Sequence, residues 1–514
     1  MSADALPGPS ERQLGFAWDP RLTPMAGPCA MVLFGASGDL AHKKLLPALY
    51  DLANRGLLPA GFALVGVARR DWSEADLRRE AHAAVASGAR TPFRQQVWEN
   101  FAARLHYVSG DVANPATYKD LALALQAADV AHSTRQQRLF YLALPPDRCP
   151  VAVQGLLDSG LAGAPGHGGR LVVERPYGFD LVSSKQLNYL IDQGFCETEV
   201  CRMDPYLGNE LVRTFVALRF ANRLFDAVWN RDHVSHVEIT MGEDQGIGAR
   251  AGYWDQLGAL RDIVTGHMFQ LLALTAMDQP ASMAAVDVRA ARQCALRQIE
   301  LAGPVSKAAA RGQYTAGWQG NIQVKGYLDE PGVIGGSTTE TYAALKLAVD
   351  TDRWRGVPFY LRTGKRLGRR ITQITLLLKP TAWAQTVPAL AGQLEPNLLT
   401  IRMRPDSGVT MRIDTKVPNT QTQVRPVTVD FSHGYTFAEA LPEGFEQELF
   451  DVLVGVPPYQ ASSSEVSESW RVVEPVLKAW QASNKPPARY PAGSWGPKTA
   501  DRLLARDGKT WRRP

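Results

Sequence analysis

The sequence predicts two joined units, an α/β unit on a doubly wound parallel sheet and an α+β unit on a large, mostly antiparallel sheet with helices. Three observations lead there. Over the first 200 residues, short apolar runs alternate with helix-patterned stretches, the texture of parallel strands covered on both faces. The first apolar run closes on glycines just before a helical pattern starts. From about residue 234, strand-like runs follow one another over short connections, which favours antiparallel neighbours.

In chain order, "CAMVLFGA" (29–36) is the first strand, ending just past Gly35. "HKKLLPALYDLANRG" (42–56) has helical spacing at Leu45, Leu46, Leu49 and Leu52, with Gly56 placed to cap its end. "FALVGVARR" (62–70), "RLHYVSGD" (104–111), "RLFYLALPP" (138–146) and "GRLVVERPYG" (169–178) continue the parallel series. The second unit reads as strands over 236–243, 322–328, 341–349, 358–365, 373–380, 397–405, 408–417 and 424–432, with a helix over 251–277 before most of them. The boundary falls near residues 178–202. The expected division is a loose, Pro-containing arm over 1–25, an α/β unit over 26–200 and an α+β unit over 201–514.

Bulk composition excludes several classes. Of the 514 residues 45% are hydrophobic and 21% charged, an ordinary globular balance with material for a sizeable core. The net charge of +5 is small for this length and scattered, apart from Lys365–Arg370 and the C-terminal tail, which argues against a nucleic-acid partner. No apolar run is long enough for a membrane span. The five cysteines lack CxxC spacing and are odd in number, so they read as reduced thiols of a cytoplasmic protein, with no metal site.

Two stretches carry chemistry. "FGASGDLAHKK" (34–44) joins a strand to a helix. Gly35 and Gly38 let phosphate approach the main chain, and the helix N-terminus offers free N–H groups and partial positive charge, which suits a pyrophosphate. The second strand ends in "ARRD", where an acidic residue would hold a ribose 2′-OH. Arg69 there suits a 2′-phosphate, which favours NADP over NAD, whereas Arg70 reads as solvent-facing. "AGYWDQLGALRDIVTGHMFQLLALTAM" (251–277) sets His267 among apolar neighbours, with Asp255, Arg261 and Asp262 close by. A lone histidine in such a setting is more often a satisfied core residue, and spacing alone does not make it part of a dyad.

From about residue 28 to its end, the chain is similar to the glucose-6-phosphate dehydrogenase family. "GASGDLAHKK", "YLALPP", "RFANRLFDAVWNR", "AGYWDQLGALRDIV", "GVPFYLRTGKRLGRR" and "YPAGSWGP" resemble that family's blocks, in order. The resemblance implies that His267 is the base taking the proton of a sugar C1 hydroxyl, with Asp204 as its carboxylate partner. It implies an NADP site at Gly35, Ser37, Gly38, Asp39, Leu40, Lys44 and Arg69, lined by Tyr141, Ala143 and Pro145. It assigns sugar contacts to Tyr206, Asn209, Glu243, Asp262, Lys365 and Arg370, and places Arg175 against both sugar and cofactor. Pro176 falls where the family usually has a cis peptide. A homodimer or homotetramer, paired through the large sheet, is implied in the same way.

The sequence departs from the family in one block. The usual RIDHYLGKE is Arg202-Met203-Asp204-Pro205-Tyr206-Leu207-Gly208-Asn209-Glu210 here, so the His and Lys that would grip a 6-phosphate are Pro205 and Asn209. The Lys of the family's EKPFG block is Arg175. Losing two charge-assisted partners weakens phosphate binding by roughly 10²–10⁴-fold. Three readings stay open at this point. The chain oxidises glucose 6-phosphate with another cation such as Arg213 in place; it is a paralogue that oxidises a different or non-phosphorylated sugar; or it is a non-catalytic binding or regulatory homologue.

Overall fold

The computed structural model describes residues 25–513 except 167–168, 205–209, 249–250, 387–393, 422, 433–443, 456–459 and 484. The expected N-terminal arm therefore lies almost wholly outside the described residues.

Six parallel strands form the first sheet: β1 (Cys29–Phe34), β2 (Phe62–Ala68), β3 (Leu105–Ser109), β4 (Arg138–Leu142), β5 (Gly169–Val173) and β6 (Val200–Arg202). Their order is β3-β2-β1-β4-β5-β6, so the winding reverses between β1 and β4. All residues of β1 and β2 are buried, as expected of strands covered on both faces. Helices such as Glu74–Gly88, Pro115–His132 and Cys149–Asp158 supply the cover. The three-residue β6 was not expected from the sequence, and it straddles residue 200, where the two units were expected to meet.

The second sheet contains β7 (Val234–Gly242), β8 (Ile299–Leu301), β9 (Ala309–Thr315), β12 (Tyr342–Val349), β13 (Phe359–Gly364), β14 (Ile371–Leu378), β15 (Leu398–Arg404), β16 (Gly408–Lys416), β17 (Val424–Ser432) and β18 (Ala488–Pro491), with β10 (Gly317–Gln319) and β11 (Ile322–Val324) as a separate hairpin. Its main path runs β17-β16-β15-β14-β7-β13-β12-β9-β18, and β8 pairs β12. Most neighbours are antiparallel. The exceptions, β7 with β13 and β18 with β9, join strands far apart in sequence, which short connections cannot reveal.

The expected helix over 251–277 is broken into three pieces. Gly258 adopts φ +71°, and a Cβ there would lie 2.4 Å from a carboxylate oxygen of Glu340. Glu340 then receives the Leu260 N–H at 3.1 Å, capping the second piece. That piece, Leu260–Met268, is π-helical, and an α-helix, Phe269–Ala276, completes the run. Wide π turns recur at functional sites, and this one carries Asp262 and His267.

One C-terminal element returns to the first unit. The helix Gly444–Val454 buries Leu449, Phe450, Val452 and Leu453 in the same core cluster as Cys29, Met31 and Leu33 of β1. Arg55 holds Glu446 at 3.0 Å, and Arg170 donates to the Leu453 carbonyl at 3.1 Å.

Candidate active site

The turn after β1 sits at the reversal of strand order. In open parallel sheets the crevice at the carboxyl ends of such strands is where ligands bind. Gly35 has φ +84°, and a Cβ there would stand 2.2 Å from the Ala143 carbonyl oxygen at the end of β4. Only glycine lets this turn lie so close, and the result is a main-chain cradle between β1 and β4. Gly38 N–H closes the turn on the Gly35 carbonyl at 2.9 Å. Ser37 lies within the turn, Asp39 and Leu40 begin the helix, and Lys44 lies further along it, partly buried. Asp39 pairs with Lys43 at 2.7 Å on the surface. Arg69 is exposed just past β2. Arg70, read as solvent-facing, is exposed but lies over the Trp72 ring, 5.3 Å from its centroid. Pro145 is exposed beside Ala143. The turn, the helix N-terminus and the exposed arginine fit a dinucleotide with a 2′-phosphate.

Tyr141 is fully buried, and its hydroxyl donates to the Glu174 carboxylate in a short hydrogen bond. It meets the site through that carboxyl group. Burial pushes Glu174 up to about 7, against the opposing pull of the Tyr141 hydrogen bond and the Arg175 charge.

The second cluster gathers on the far side of β5. His267 Nδ1 lies 2.8 Å from Asp204 Oδ1, and the two side chains are 13% and 2% exposed. Arg175 Nη2 lies 2.9 Å from the same Asp204 oxygen and 2.8 Å from His267 Nε2, and it also contacts Nδ1. The Arg175–Pro176 peptide is cis, as the resemblance suggested. Gly266 makes room for this arrangement, because a Cβ there would lie 2.3 Å from Arg175 Nη1. Burial, then the Arg175 charge, hold the His267 imidazole below its usual range, outweighing Asp204.

Glu243 and Lys365 form a close ion pair for a reason written in the sheet. They follow Gly242 and Gly364, register partners in the parallel pair β7–β13, so they leave the sheet side by side. Lys365 also lies over Trp254, 4.6 Å from the ring centroid. Burial raises the Glu243 carboxyl, but Lys365, Arg370 and His267 together outweigh it and hold the group below its usual range. Asp262 accepts from the Tyr253 hydroxyl at 3.1 Å. Arg370 is exposed at the start of β14. Pro205, Tyr206 and Asn209 lie outside the described residues.

Two carboxyl groups close to this cluster were not singled out from the sequence. Glu174 precedes Arg175, and Glu448 reaches Asp204 from the helix Gly444–Val454. Glutamate is rarely buried, and nothing in the local pattern marks either as an exception.

A doubly wound sheet with a glycine cradle at its switch point, whose last strand β6 leads into the aspartate of a histidine–aspartate pair completed by a helix of the second unit, defines a two-unit dinucleotide-binding protein. Two family models match the chain nearly end to end: the glucose-6-phosphate dehydrogenase NAD binding domain over residues 32–214 and the glucose-6-phosphate dehydrogenase C-terminal domain over 216–512. The chain belongs to the glucose-6-phosphate dehydrogenase family. It is 48% identical over 497 residues to a glucose-6-phosphate 1-dehydrogenase 2 of Mycobacterium tuberculosis, covering 96% of each protein. It is 38% identical over 513 residues to a glucose-6-phosphate 1-dehydrogenase of Chlamydia pneumoniae, covering 98% of this chain and 99% of that one. Among solved structures, a glucose-6-phosphate dehydrogenase in complex with its substrate glucose 6-phosphate superposes with a TM-score of 0.83 at 27% identity, covering 96% and 100% of the two chains.

Proposed function

We propose that this chain oxidises a hexose at C1 to the lactone with NADP, and that glucose 6-phosphate is its substrate. The observation that carries the reading is the His267–Asp204 pair at 2.8 Å. With Nδ1–H directed at Asp204, Nε2 holds the lone pair that takes the C1 hydroxyl proton, and the carboxylate fixes the tautomer and stabilises the imidazolium. Glu243, Lys365, Asp262 and Arg370 orient the sugar hydroxyls beside this base. The turn at Gly35, Ser37 and Gly38 holds the pyrophosphate, and Arg69 the 2′-phosphate. When bound, the nicotinamide supplies the hydride acceptor. The names of the relatives support the same chemistry.

The reading extends to organisation. An arm over 1–25, a dinucleotide-binding unit over 26–200 and a substrate and oligomerisation unit over 201–514 serve a cytoplasmic homodimer or homotetramer. Among the described residues no helix is long and apolar enough to cross a membrane. Ile413, Val429 and Phe431 stand on one face of β16 and β17 and are 46%, 46% and 43% exposed, an apolar stripe suited to a second copy. Light scattering of the purified protein tests the assembly.

The decisive experiment follows NADP reduction over phosphorylated and free hexoses. Turnover with glucose 6-phosphate at ordinary KM supports the proposal; no turnover with any sugar sinks it. A second reading, a sugar other than glucose 6-phosphate, draws on Pro205 and Asn209 standing where the family has cations. On that reading Pro205→His with Asn209→Lys lowers KM for glucose 6-phosphate by about 10–10³-fold and leaves free hexoses unchanged. An equal gain for all sugars would count against it.

A further inference from the structure

The Asp204 main chain is tied down from several sides. Met203 N–H extends the β5–β6 ladder to the Val173 carbonyl at 3.0 Å. The Met203 carbonyl accepts from Arg175 Nε at 3.2 Å and from the Tyr177 hydroxyl at 3.1 Å. The next donor, Asp204 N–H, is received by Glu448 Oε1 at 3.3 Å. The residue after it is Pro205, which has no N–H to offer. Asp204 N–H is thus the last main-chain donor ahead of Pro205.

Glu448 is itself fixed. It is 3% exposed, and its helix is locked in rotation by Leu449, Phe450, Val452 and Leu453 in the core and by Arg55 on Glu446. Its second oxygen, Oε2, is buried with no hydrogen-bond partner among the described residues, an arrangement that costs stability and that a simple packing role would avoid.

We propose that Glu448 is a positioning residue for the reaction: through the Asp204 N–H it sets the Asp204 carboxylate against His267 Nδ1. The proposal rests on the reading of His267 and Asp204 as base and partner. Burial, then the charge of Asp204, push Glu448 well above the usual carboxyl range, which disfavours a second anion beside Asp204. A neutral amide can replace it; an apolar side chain of the same size cannot.

Two substitutions separate these cases. Glu448→Gln keeps the acceptor and retains kcat within about 3-fold. Glu448→Met removes it and lowers kcat by about 10–10²-fold, the scale of a misplaced catalytic group, with smaller changes in sugar KM and NADP affinity. Wild-type kcat in Glu448→Met, or equal losses in both variants, overturns the proposal. Two readouts need no turnover. Imidazole ¹⁵N spectra of His267 should give the Nδ1–H tautomer in wild type and Glu448→Gln and a mixture in Glu448→Met; an unchanged tautomer in Glu448→Met counts against the role. In the unmodified protein the Asp204 amide should exchange slowly with solvent, and fast exchange overturns the proposal whether or not the variants fold. A wild type that oxidises no sugar defeats the functional reading instead, and these two measurements still judge Glu448.

Discussion

Nη2 of Arg175 lies against both ring nitrogens of His267, 2.8 Å from Nε2 and in contact with Nδ1. On the proposed reading, in which Nδ1–H is given to Asp204 and Nε2 takes the substrate's proton, the guanidinium lies against the base. The same cation, after burial, disfavours the imidazolium. The acid limb of kcat/KM is accordingly expected below pH ~6.5, the ordinary histidine value. Arg175→Met removes the cation and moves that limb to higher pH, whereas Arg175→Lys keeps it low. A limb that stays in place in Arg175→Met would show that the charge is not felt at His267.

His267→Asn should lower kcat by at least about 10²-fold while leaving the fold and NADP binding intact. Asp204→Asn should also lower kcat, because an amide oxygen accepts from Nδ1–H but does not stabilise the imidazolium charge. Circular dichroism and a cofactor titration serve as controls. Near-normal turnover in His267→Asn removes it from the mechanism.

Arg69, the residue proposed to hold the 2′-phosphate, is exposed just past β2. Arg69→Ala should weaken NADP binding by about 10–10²-fold, the loss of one charge-assisted contact, and change NAD binding little. Equal affinities of the wild type for NAD and NADP would defeat the assignment.

Burial holds the Glu174 proton up to about 7, above an ordinary value of 4.5. Between those two pH values the folded protein keeps a proton that the unfolded chain has released, so this group's contribution to stability falls as pH rises through the window. The full effect is on the order of 3 kcal/mol. Glu174→Gln is neutral throughout and should show a smaller loss of stability between pH 5 and pH 8 than the wild type in urea titrations.

Much of this was legible in the residues. Alternating apolar runs gave the parallel sheet, and the strand runs from 341 to 432 recur almost unchanged in β12 to β17. The pairing of His267 with Asp204 was implied by the family's blocks and not by spacing, because 63 residues separate them and only the fold brings them together. β6, β8 and β10 are three residues each, too short to carry a period. The break at Gly258 depends on Glu340, remote in sequence, so a helical pattern ran on through it. The adjacency of Glu243 and Lys365 follows from a parallel pairing that no local signal specifies.

The helix Gly444–Val454 has a consequence for biogenesis. The parallel sheet can leave the ribosome complete through Arg202, yet part of its core and the clamp on Asp204 come from a segment made much later. At ~5–20 residues per second, the roughly 240 intervening residues take about 12–48 s to synthesise. Through that interval the nascent nucleotide-binding unit has an apolar flank awaiting its cover, a natural foothold for a chaperone. Synthesis of this helix, and not emergence of the first sheet, is then what brings Glu448 to Asp204.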